Sequence, residues 1–176
     1  MNPLSKNGNW IDSVKMSLPE HVGHLERNLD IVMTQHGLDE IDAHCCALAA
    51  AIAAGNGELA FEISVNGPLF GRSERELVTQ AVVSMTIDSV YLDYLTAVDI
   101  AEYSSPKSYA LEVFEPIMTD ETGKAAAYAF AAAITLKHSR TFALVELLKE
   151  KNYSREQVQD IANIASVIAS INKVVI

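Results

Sequence analysis

The chain of 176 residues carries 13 Lys and Arg against 23 Asp and Glu, a formal net charge of −10, with 49 % hydrophobic and 20 % charged residues. This composition suits one globular domain, or two small fused repeats around a single core, and excludes the disordered class, whose chains lack apolar surface to bury. The acidic balance argues against nucleic acid as a partner, since phosphate binding demands a surplus of Lys and Arg, and against anionic membranes for the same reason.

The N-terminal segment, residues 1–16, has Asn, Gly, Pro and Ser with little periodicity and reads as a flexible arm ahead of one helical domain over 17–176. Residues 1–10 include Lys6 but no apolar run or small-residue cleavage site of a secretory signal. Ser17-Leu18-Pro19-Glu20 has the form of a capping box, followed by Leu25, Leu29, Ile31 and Val32 on one broad side until Gly37 stops the helix. His21 and His24 lie about one turn apart, but nothing is placed to complete a tetrahedral shell, so no metal is expected.

Leu38-Asp39-Glu40 opens a second helix through Ile41, Cys45, Leu48 and Ile52 to Gly55-Asn56-Gly57. Cys45 and Cys46 are the only cysteines. Neighbouring helical side chains point about 100° apart, so the pair is badly placed to bridge or chelate, and core thiols of a reducing cytosol are the expectation. The low-polarity run 43–54 is interrupted by His44 and is too short to span a bilayer. A cytoplasmic protein follows.

A short helix over 58–65 ends at Asn66-Gly67-Pro68, where glycine permits unusual backbone angles and proline forbids continuation. No strand precedes these glycines and no Gly-Lys-Ser/Thr follows, so they are not a phosphate loop. Ser73-Glu74-Arg75-Glu76 reads as a second capping box, continued by Leu77, Val78, Ala81, Val82 and Met85. Tyr91 and Tyr94 follow as core-and-rim aromatics. Ser104-Ser105-Pro106 marks a break, residues 106–123 a connector with a short helical piece over 110–114, and Asp120-Glu121-Thr122-Gly123 a junction. Residues 130–148 predict a helix, turn and helix. Ser154 with Gln157 then caps a last helix bearing Val158, Ile161, Ala162, Ala165, Ile168 and Ala169 on one face. No segment alternates with period two, so the fold class is all-α.

Leu48-Ala49-Ala50-Ala51-Ile52 is echoed by Phe130-Ala131-Ala132-Ala133-Ile134, and the capped opening at Ser73 is echoed at Ser154 at nearly the same spacing. The order alanine helix, short helix, capped long helix thus occurs twice, which predicts pseudo-repeats over about 38–103 and 120–176.

This order resembles the alkyl hydroperoxidase D (AhpD-like) family of the carboxymuconolactone-decarboxylase-like superfamily. The resemblance is carried by Leu18-Pro19-Glu20, the run 48–56, Ala81-Val82-Val83-Ser84-Met85 leading into Val90-Tyr91, and the run 130–144 followed by Ser154-Arg155-Glu156. It implies an all-helical fold with an internal repeat, assembly as trimers or higher homo-oligomers, and thiol peroxidase chemistry without a bound cofactor. That chemistry uses a Cys-x-x-Cys pair, a histidine beyond it and an upstream glutamate, because peroxide attack needs a thiolate and a second thiol must resolve the sulfenic acid. Aligned on this chain, the cysteine positions fall on Lys137 and Arg140, the histidine on Leu144 and the glutamate near Ala125. The dithiol centre, with its role against oxidative stress, is absent.

In its place stands Lys137-His138-Ser139-Arg140 at the start of a helix, where cations beside free backbone N–H groups can hold a small carboxylate or phosphate. The leading expectation is therefore an oligomeric binding or scaffolding protein for a small anionic ligand, with ligand residues Lys137, His138 and Arg140. The alternative is an enzyme: alkyl hydroperoxide reduction through Cys45 or Cys46, or cofactor-free acid–base chemistry of the decarboxylase type through His138 with Lys137 or Arg140.

Overall fold

A computed structural model describes residues 9–68, 70–97 and 117–174, with the side chains of 88–97 excepted. Among these residues the regular structure is entirely helical. In chain order the elements are α1 (Trp10–Ser17), a 3₁₀ turn (Glu20–Val22), α2 (Gly23–Thr34), α3 (Glu40–Ala53), α4 (Gly57–Asn66), α5 (Arg72–Ala97), α6 (Lys124–Leu136), α7 (Thr141–Glu150) and α8 (Arg155–Asn172).

The centre is a pair of alanine-rich helices, α3 and α6, packed against each other. Every residue from Ala43 to Ala51 and from Ala125 to Ala133 is buried. A helix apolar on all sides has no solvent face and must be enclosed. The enclosure comes from α5 and α8, each of which packs on both central helices, while α4 leans on α3 and α7 on α6. On α5 the inward stripe is Val78, Ala81, Val82 and Met85; on α8 it is Ile161, Ile164, Ala165, Ile168 and Ile171. Small side chains on α3 and α6 allow close approach, and the larger isoleucines fill the outer shell.

Several boundaries depart from the sequence-based expectations. The arm expected over 1–16 contains α1, capped by the Asn9 side chain, which accepts from Ile11 N–H. Trp10 on this helix is fully buried, so its truncation to alanine would cost about 3–5 kcal/mol. The capping box expected at Ser17 does not form: Ser17 ends α1 and donates to the Val14 carbonyl, and the 3₁₀ turn intervenes before α2. On α2 the inward residues are Leu25, Leu29 and Met33, whereas Ile31 faces outward. The box expected at Ser73 is also absent, because α5 already begins at Arg72, which puts Ser73 inside the helix, where its hydroxyl bonds Glu74 in the first turn. By contrast, Ser154 and Gln157 form a full reciprocal capping box on α8.

The junction at 120–123 behaves as a cap for α6. Asp120 accepts from Ala125 N–H at 2.8 Å and Gly123 takes φ 75. Burial pushes the Asp120 carboxyl up, yet the hydrogen bonds from Ala125 and Thr122 outweigh it and hold the group below its ordinary range. Of the expected connector, residues 106–116 with the helical piece at 110–114 lie outside the described residues, as do the side chains of Tyr91 and Tyr94, whereas 117–119 are helical. No helix among the described residues is long and apolar enough to cross a membrane.

Candidate functional site

The turn from Lys137 to Arg140 joins α6 to α7. Lys137 caps α6 in the left-handed conformation, φ 55 and ψ 41, and its side chain is exposed. His138 is instead buried. Its Nδ1 accepts from Arg140 N–H at 3.0 Å, while its carbonyl accepts from the Thr141 hydroxyl at 2.6 Å. An Nδ1 that accepts carries no proton, which places the proton of a neutral ring on Nε2. The imidazole therefore occupies one backbone donor of the turn that the sequence reading had left for an anion. Arg140, half-buried, is the N-cap of α7.

Cys45 and Cys46 lie far along the chain from this turn, in the middle of α3, and both are buried. Burial pushes the Cys45 thiol up to about 11; a hydrogen bond with Tyr128 opposes the rise, and the Asp42 charge adds to it. Burial raises the Cys46 thiol as well, with Cys45 and Asp42 adding in the same direction. Thiolate chemistry at neutral pH needs the opposite environment, electropositive and accessible.

Beside Cys45 the structure gathers residues that the sequence reading did not single out. Lys124 and Tyr128, one turn apart on α6, both reach Asp42 Oδ1 on α3, the Tyr128 hydroxyl donating at 2.8 Å and Lys124 Nζ lying 3.1 Å away. Burial first, then the Cys45 and Asp42 charges, raise the Tyr128 phenol far above its usual range. The hydrogen bond to Asp42 raises the Lys124 ammonium. Tyr128 thus stays a neutral donor. The available signal was Asp42, Lys124 and Tyr128 themselves, polar groups on helices otherwise apolar all round, which must find one another when the helices pair.

His44, next to Cys45, turns the other way. Its Nδ1 lies 2.8 Å from the Glu40 carbonyl, its ring meets Trp10 edge-on with centroids 5.9 Å apart, and burial lowers its pKa. A carbonyl only accepts, so Nδ1 carries a proton. His21 lies in the 3₁₀ turn and His24 on α2. Among the described residues no cluster of three or more His, Cys, Asp or Glu could hold a metal ion.

No protein-family model matches the chain, and no curated protein matches it in sequence.

Proposed function

We propose that this chain is a divergent AhpD-like protein of the cytoplasm that has lost the dithiol peroxidase centre and acts as an oligomeric binding or scaffolding protein. The observation that carries the reading is the burial of both cysteines in α3, with the Cys45 thiol pushed up to about 11, which leaves almost no thiolate at neutral pH to attack a peroxide. The positions where the resembling family keeps its thiols hold Lys137 and Arg140.

The repeat reading is supported by the packing: an alanine helix, a short helix leaning on it and a longer helix contacting both alanine helices occur once in α3, α4 and α5 and again in α6, α7 and α8. The oligomeric reading, trimeric or higher, draws support from exposed apolar side chains on the outer helices: Phe61 and Val65 on α4, Val83 and Ile87 on α5, and Phe142 on α7. For the ligand, exposed Lys137 and half-buried Arg140 offer cationic groups at the opening of α7 to a small carboxylate or phosphate. His138 would support their turn rather than contact the ligand.

The test is turnover of a small alkyl hydroperoxide by purified protein supplied with a dithiol reductant, wild type against Cys45→Ser/Cys46→Ser. Equal, background-level rates are expected; turnover that depends on the cysteines would overturn the reading. Phosphate titration followed at the backbone amides of residues 137–144 tests the ligand part, with saturable shifts lost in Lys137→Ala/Arg140→Ala expected.

A further inference from the structure

Between α1, α4 and the last turn of α8 lies a recess of about 170 Å³. Its walls include the buried apolar side chains Val14, Leu59 and Ile171. Of the five polar residues in the lining, Ser13, Ser17, Asn56, Glu58 and Glu62, two are buried, Glu62 at 9 % exposure and Ser13 at 7 %. Asn66 Nδ2 donates to Glu62 Oε2 at 2.8 Å, and this is the only hydrogen bond of the Glu62 carboxylate among the described residues. The Ser13 hydroxyl, also in the lining, makes none there. Glu58, one turn before Glu62 on α4, adds a second negative charge, and none of the lining residues is Lys, Arg or His.

Neither the second Glu62 oxygen nor the Ser13 hydroxyl is sealed off from the recess, so both remain open to a ligand there, and a like charge at i, i+4 on the same helix is destabilising. A bound cation with several N–H donors would bond both open atoms and offset the repulsion. A volume of 170 Å³, at about 30 Å³ for each water-sized group, takes roughly five heavy atoms. We propose that this recess is a binding site for a small primary alkylammonium ion. Its ammonium donates to the free Glu62 oxygen and the Ser13 hydroxyl, Glu58 adds attraction at the rim, and the alkyl chain lies on Val14, Leu59 and Ile171. The site is separate from the turn at Lys137 to Arg140 and selects the opposite charge.

The experiment is a titration of the full chain with n-butylammonium chloride, n-butanol and sodium n-butyrate, read at the backbone amides of Ser13, Leu59 and Ile171 by heteronuclear NMR. Saturable shifts with n-butylammonium, at least tenfold weaker binding of n-butanol and no saturation with n-butyrate are expected. Glu62→Gln, which keeps the shape and the contact with Asn66, should weaken n-butylammonium at least tenfold while circular dichroism stays unchanged. Non-saturating shifts with n-butylammonium, n-butanol binding as tightly, or a folded Glu62→Gln that binds like wild type would each overturn the proposal. Should Glu62→Gln fail to fold, the three-compound series on the wild-type protein decides alone.

Discussion

Tyr128 donates its phenolic hydrogen to Asp42 across 2.8 Å, a contact 86 positions apart in the chain that ties the two central helices together. The rest of their interface is mostly alanine, which supplies close packing and little else to fix register. A directional bond to a carboxylate adds that, and hydrogen bonds to charged groups contribute about 1.5–3 kcal/mol. Tyr128→Phe should lower the stability by about 2 kcal/mol, read as a lower urea midpoint with an unchanged m-value. An unchanged midpoint would mean that alanine packing alone fixes the pair.

Cysteine reactivity should report global opening and nothing else. In the native state Cys45 and Cys46 should resist a chromogenic disulfide reagent, and in denaturant both should react at once. Rapid labelling of one native thiol would show a path into the core of α3 that the packing does not contain.

Ser73 and Ser154 read alike in the sequence and differ in the fold, so alanine at the two sites should separate them. Ser154→Ala breaks a reciprocal cap on α8 and should cost about 1 kcal/mol. Ser73→Ala removes an exposed hydroxyl whose one hydrogen bond among the described residues is to its neighbour Glu74, and should fall within about 0.5 kcal/mol of wild type. Thermal denaturation of both variants is the check.

Gly55 and Gly123 both hold positive φ, 77 and 75, but their surroundings differ. A Cβ at Gly123 would come within 2.8 Å of Lys151 Cβ and 2.9 Å of Tyr153 Cε2, whereas one at Gly55 would meet nothing within 4 Å. Gly55→Ala should cost only the backbone strain, about 1 kcal/mol, and Gly123→Ala measurably more. Equal midpoints in a urea titration would contradict the crowding at the α6 cap.

Acid should loosen the attachment of α1 through His44. Its pKa in the fold lies below the ordinary histidine value of about 6.5 because burial disfavours the charged ring; the Glu40 carbonyl and carboxylate push it back up, and His36 pushes it down. The unfolded chain therefore binds the proton more readily. The stabilising contribution is complete above about pH 6.5 and disappears as pH falls through the folded value. The fall in melting temperature from pH 7 to pH 5 should be smaller in His44→Phe, which keeps a ring against Trp10, than in wild type.

The all-helical class and the main helix boundaries were legible because period-3.6 patterning and local caps act over a few residues. Asp39, Asn56 and Ser154 cap the helices they precede. Failures came where one local pattern had two outcomes. Ser17 and Ser73 carry the letters of a capping box, but Ser17 closes α1 and Ser73 sits inside α5, and tertiary packing made those choices. Trp10 was hidden in a segment rich in Asn and Gly, where composition outweighed the short stripe of Ile11, Val14 and Leu18. At the candidate site, the basic turn was placed correctly at the start of a helix, yet the burial of His138 was not visible, since it depends on how α6 and α7 pack. The contact of Asp42 with Tyr128 and Lys124 was out of reach for the same reason: pairing across two helices is decided only when both are placed.

The enclosure of α3 also sets a schedule for synthesis. Its covering partners α6 and α8 lie far downstream, so a ribosome making about 5–20 residues per second leaves the apolar surface of α3 uncovered for on the order of ten seconds. Until Ile161 to Ile171 arrive, the nascent chain presents a greasy helix without its lid, an invitation to chaperones in the cell and to inclusion bodies in rapid overexpression. Slower translation at low temperature should raise the soluble yield.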